Sequence, residues 1–270
     1  QTHAVSDTPT YYAYIIAVGS PETFSLDSDA YQIDIIAPEA NAYDANAVRF
    51  TAAAPDYMNR GAGFSSAADS KLFMFNVWVD FKGANATDQR FIIGTGLAGL
   101  NIIKNTSNRI DVQAKNSGGT EILRFTSAAQ FTNLTGWKHL LCSVNLGTGR
   151  VQFLVDGVSS INSITVQTDA AIDFTLSDWS VGGGSSGGSP LDADVADFWV
   201  AFGQSIDLAS TQNVRKFRDT GGKPQDLGAD GSTPTSTMPT VYLHGTTSTW
   251  HTNDGSGGGF NLPDNGQIKT

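Results

Sequence analysis

The chain has 270 residues, a formal net charge of −10 and only 16% charged residues. So acidic a surface, with no local Lys/Arg cluster against it, repels a phosphate backbone and argues against nucleic acid as a partner. No apolar run approaches the roughly 18–20 residues that cross a bilayer, and the single cysteine, Cys142, excludes an intrachain disulfide framework.

Twenty-nine glycines and abundant Ser, Thr and Asn predict many short strands joined by turns. Residues 1–45 stand apart as a strand-rich extension, with strand-like runs at 11–18 and 31–36. The first run is apolar on both faces: Tyr12, Tyr14, Ile16 and Val18 on one, Tyr11, Ala13, Ile15 and Ala17 on the other. A strand with one wet face should alternate, so Tyr11, Tyr12, Tyr14, Ile15 and Ile16 are expected at a subunit interface of a homo-oligomer. The alternative is a strand inside its own sandwich.

Strands follow at 48–50, 72–81, 90–93, 100–104, 109–115 and 121–125. In the second of these Phe73, Phe75, Val77, Val79 and Phe81 share a face, and Met74, Asn76, Trp78 and Asp80 the other. Trp137-Lys-His139 then opens a hairpin: Leu140, Cys142, Val144 and Leu146 face one way, as do Val151, Phe153 and Val155, before Asp156-Gly157 turns the chain again. Cys142 therefore reads as a small buried hydrophobe. Further strands are expected at 161–166, 178–181 and 195–202. One short helix is predicted over 208–218, with Ser210 as N-cap and Val214 and Phe217 on one face. Residues 223–270 carry spaced apolar anchors (Val241, Leu243, Trp250, Phe260, Leu262) and read as an ordered extension packed on the sandwich.

The order of Trp78, Trp137 and His139, the hairpin with Asp156-Gly157, Ser180-Val-Gly182 and Val195-Ala-Asp-Phe-Trp199 resembles the laminin-G-like branch of the concanavalin A-like jelly rolls. The resemblance implies an all-β jelly-roll sandwich over residues 46–220, with N- and C-terminal extensions at 1–45 and 221–270. Lys216-Phe217, Gly222-Lys-Pro224, Asp226-Leu-Gly-Ala-Asp-Gly231, Trp250-His-Thr-Asn-Asp-Gly255 and Gly257-Gly-Gly-Phe260 are in turn similar to laminin-G-like proteins of tailed bacteriophages and prophages. That implies a virion component (fibre, spike, tail or capsid decoration), exposed at the particle surface beside other virion proteins.

Asp192-Ala-Asp-Val-Ala-Asp197 has the spacing of the paired-carboxylate strand of concanavalin A-like glycoside hydrolases, but every acid is Asp. The shorter side chain alters the roughly 5–5.5 Å carboxyl separation that a retaining mechanism needs. Asp192, Asp194 and Asp197 are also candidate ligands for calcium, which takes clustered carboxylate oxygens. The four histidines lack zinc-site spacing, and the glycines of residues 182–189 lack the Lys-Ser/Thr ending of a phosphate loop. Tyr57, Trp250 and Tyr11–Tyr14 are the aromatic candidates for stacking on a sugar. The preferred expectation is a non-enzymatic virion structural protein without a cofactor. The alternative is a lectin-like module contacting host glycans, with or without calcium, and a glycoside hydrolase comes third.

Overall fold

The computed structural model describes residues 43, 45–53, 56–65, 67–184 and 186–262. The interface strand expected at residues 11–18 lies outside them. The described strands form two antiparallel seven-stranded sheets. One contains β1 (Val48–Phe50), β3 (Leu72–Phe81), β8 (Lys138–Asn145), β9 (Arg150–Val155), β10 (Val158–Ser159), β13 (Ala193–Phe202) and β14 (Val241–Leu243). Its order is β1-β13-β3-β8-β9-β10, with β14 on the same edge of β13 as β1. The other contains β2 (Met58–Asn59), β4 (Gln89–Gly94), β5 (Leu100–Lys104), β6 (Ile110–Lys115), β7 (Glu121–Ser127), β11 (Ile161–Gln167) and β12 (Trp179–Val181), in the order β11-β7-β6-β5-β4-β12-β2.

The period-two pattern explains why the sheets stack. Phe73, Phe75, Val77, Val79 and Phe81 of β3 meet Phe91, Ile92, Ile102, Val112 and Phe125 of the facing sheet in one core. Cys142, Leu140, Val144 and Phe153 of the β8–β9 hairpin point into the same core. Edge-to-face rings, such as Phe75 on Phe91 at 5.9 Å and Phe81 on Phe91 at 5.7 Å, hold its centre.

The second face of β3 is buried as well. After β13 the chain lays Leu208, Phe217, Leu227 and Tyr242 over Met74, Leu141, Leu154, Trp199 and Ala201, which makes a second core outside the first sheet. Trp199 Nε1 donates to the Gly231 carbonyl at 2.8 Å. Farther on, Trp250 and Phe260 rejoin the main core against Phe50 (5.9 Å) and Phe64 (5.8 Å). The helix expected over 208–218 is a single turn, Thr211–Val214, and Ser210 makes no side-chain cap. Tertiary contacts override its local pattern: Phe217 packs edge-on to Trp199 at 5.4 Å and Arg218 reaches Asp156 at 3.3 Å.

Gly182 closes β12 at φ +82°, and a Cβ there would overlap the Phe50 ring. Gly182→Ala combines left-handed strain with that overlap, so a loss of at least about 2 kcal/mol is expected in urea unfolding. A change below about 0.5 kcal/mol would show that the turn relaxes freely.

Candidate functional site

The three aspartates singled out in the sequence do not form a ligand set. Arg49 of β1 lies opposite Asp194 of β13 and binds Asp192 at 2.6 Å and Asp194 at 3.3 Å. Lys82 reaches Asp80 at 2.5 Å and Asp194 at 3.6 Å. Asp197 sits on a β-bulge at φ +47° and is 1% exposed, where its Oδ1 accepts the Tyr43 hydroxyl at 2.6 Å. Among the described residues no group of three or more His, Cys, Asp and Glu side chains is placed to hold a metal ion. Of the three candidate carboxylates, Arg49 thus engages Asp192 and Asp194, and Asp197 is buried against Tyr43.

Asp197 instead belongs to a buried polar row across the first sheet. Asn76 donates from Nδ2 to the Asp197 carbonyl at 3.0 Å, which leaves its Oδ1 to accept His139 Nε2–H at 2.7 Å. The His139 ring stacks on Trp78 at 4.6 Å, and the Arg218 guanidinium lies 5.8 Å from that indole. Burial, aided by the Arg218 charge, lowers the His139 pKa to about 3, so the ring stays neutral within the row. Burial raises the Asp197 pKa to about 7 against the opposing Tyr43 hydrogen bond. Asp156, the turn residue at φ +53°, accepts the His139 backbone N–H at 3.1 Å and Lys138 Nζ at 2.8 Å, besides Arg218.

The outer face of the second sheet is different. Arg90, Ile103, Gln113 and Arg124 remain partly exposed along it. At its β4–β12 side a cleft of about 180 Å³ opens, lined by Arg90, Thr95, Leu97, Asp178, Ser180 and Ser186, among others. Ile93 and Ser180 are a register pair of β4 and β12 at its floor. One wall is the 3₁₀ turn Thr95–Leu97, tied down by Thr95 Oγ1 donating to the Asp178 carbonyl at 2.8 Å. Asp178 Oδ1 is held by the N–H groups of Gly61 (2.7 Å) and Trp179 (2.8 Å). The other wall carries Gly184 and Ser186, and a Cβ on Gly184 would stand 2.7 Å from Arg90 Nη1. Two non-glycine residues flanking the cleft, Leu97 (φ +64°) and Ser189 (φ +51°), adopt left-handed backbone, a strain that concentrates at functional sites.

Sequence reasoning missed this cleft, because its walls come from segments about 80 residues apart that share no motif. Of the aromatic candidates, Trp250 is fully buried and Tyr57 half-buried. The exposed indole is Trp137, 44% accessible, in a loop that also exposes Leu134 at 90%.

A family model described as the concanavalin A-like lectin/glucanases superfamily, of laminin-G type, matches residues 61–201. No curated protein matches the chain. Among solved structures, a Bacteroides ovatus protein described as a candidate carbohydrate-binding protein is 13% identical with a TM-score of 0.51, over 74% of this chain and 51% of its own. Domains LG4-5 of the mouse laminin α1 chain are 12% identical with a TM-score of 0.44, over 63% of this chain and 45% of theirs. The chain thus spans about half the length of these two solved structures. The family match takes in the strands from β3 to nearly the end of β13, which supply most of both sheets and their shared core, and on that ground the protein belongs to the laminin-G-like branch of the concanavalin A-like lectin/glucanase superfamily.

Proposed function

We propose that this protein is a non-catalytic saccharide-binding module whose ligand occupies the cleft between the Thr95–Leu97 turn and the wall of Gly184 and Ser186. The observation that carries this reading is the convergence there of a guanidinium, a carboxylate and several hydroxyls beside the apolar Leu97 and Ile93. Such a mixture suits the hydroxyls and ring carbons of a sugar, and the cleft is sized for one residue of a chain rather than a long oligomer. A glycan array probed with the full chain, with calcium and again with a chelator, is the test. Discrete binding that survives chelation is expected, since Arg49 occupies two of the three candidate calcium carboxylates. Flat signal under both conditions would refute the reading.

A second reading concerns where the module works. We propose that it is an exposed structural component of a bacteriophage-like virion, assembled with copies of itself and other virion proteins. Support comes from the phage-like motifs between residues 216 and 260, of which Phe217 and Leu227 enter the second core and Trp250 and Phe260 the main one. Mass spectrometry of purified particles tests it, and absence of the chain from them would refute it.

A further inference from the structure

We infer that the saccharide taken by the cleft is an acidic one, whose carboxylate is bound by Arg90. This rests on the saccharide-binding reading and names its ligand class. Most partly buried arginines of the chain have an acceptor. Arg49 has Asp192 and Asp194, Arg124 has Asp111 and Glu121, and Arg218 has Asp156. Arg60 and Arg109 donate to backbone carbonyls, and Arg150 to the Ser205 hydroxyl. Arg90 stands out: among the described residues its guanidinium makes no ion pair or hydrogen bond, and its Nε is buried without a partner.

A guanidinium is always charged and only donates, so holding it half-buried without an acceptor is costly. A hydroxyl would satisfy one donor and leave the charge. A carboxylate takes two donors in parallel and neutralises it. Asp178 on the opposite wall has Oδ1 engaged by two backbone N–H groups and Oδ2 only 3.4 Å from Asn59 Nδ2. It can accept a ligand hydroxyl while the ligand carboxylate lies on Arg90. The net charge of −10 opposes an anion at long range, but screening over about 8 Å at physiological salt leaves the local cation to decide.

The full chain titrated with trigalacturonate and with 3′-sialyllactose, each against its methyl ester, tests this. At least one acid is expected to bind about tenfold or more tighter than its ester, with affinity falling as salt rises. Arg90→Gln should abolish that difference and Arg90→Lys keep part of it, neither melting below the parent. Equal binding of acids and esters would overturn the inference and leave the saccharide reading standing. Acid preference that survives in Arg90→Gln would overturn the assignment to this residue. Silence from these probes and from the array would overturn both readings.

Discussion

Trp199→Ala is expected to cost about 3–5 kcal/mol in urea unfolding and to loosen the segment between residues 203 and 240 in the folded state. The indole is fully buried on the outer face of β13, touches Phe217, and gives its N–H to the Gly231 carbonyl. Its removal leaves a cavity beneath the second core and an unpaired carbonyl above it. Limited proteolysis should therefore cut that segment first, before the sandwich opens. Trp137→Ala is the counterpart: with the indole 44% exposed, its loss should stay within about 0.5 kcal/mol. If the two variants unfolded alike, the second core would not be holding the segment.

The buried polar row gives the other large effect, in two terms of opposite sign. Desolvation raises the Asp197 pKa from 3.8 to about 7. Between those values the native state holds a proton that the unfolded state has lost, so this contribution is full below about pH 4 and disappears as pH rises through 7. Desolvation lowers the His139 pKa from 6.5 to about 3. Here the unfolded state holds the extra proton, and stability is lost as pH falls from 6.5 toward 3. Each shift is about three units, roughly 4 kcal/mol at most, and the two largely cancel in the parent. Asp197→Asn keeps an acceptor for Tyr43 and tolerates the left-handed bulge, so it should gain stability over the parent as pH rises from 4 to 7. His139→Gln should gain on the parent as pH falls from 6.5 to 4. Stability curves of both variants running parallel to the parent would disprove the assignment. The His139 imidazole should likewise show no NMR titration between pH 5 and 8.

The hairpin of β8 and β9 and the alternation of β3 were legible because period-two burial writes itself into sequence: the faces read from Phe73 to Phe81 and from Leu140 to Leu146 are the faces that meet in the core. What lay on the other face of β3 was not legible. Met74, Asn76, Trp78 and Asp80 look like a half-wet face, yet all four are buried, because a later segment or a paired cation covers them. The acidic run Asp192–Asp197 misled for a similar reason. Its neutralising partner, Arg49, stands 143 residues away from Asp192, and a bulge turns Asp197 toward Tyr43. The helix was overread because local propensity could not register Phe217 and Arg218 being drawn to Trp199 and Asp156. The cleft had no local signature at all, since a lone arginine without an acceptor is visible only once every other acceptor has been placed.

The position of β13 has a consequence for how the chain is made. This ten-residue strand lies between β1 and β3 in the first sheet, yet it is the last of the three to be synthesised. At about 5–20 residues per second, β3 leaves the ribosome with both edges bare; β8 covers one first, and the other waits several seconds more for β13. During that interval the apolar row Phe73–Phe81 is a template for any neighbouring nascent chain. Polypeptides terminated before residue 193 would keep that edge permanently. Such fragments should accumulate as aggregates, whereas a chain extended past residue 202 has the strand it needs to close the sheet.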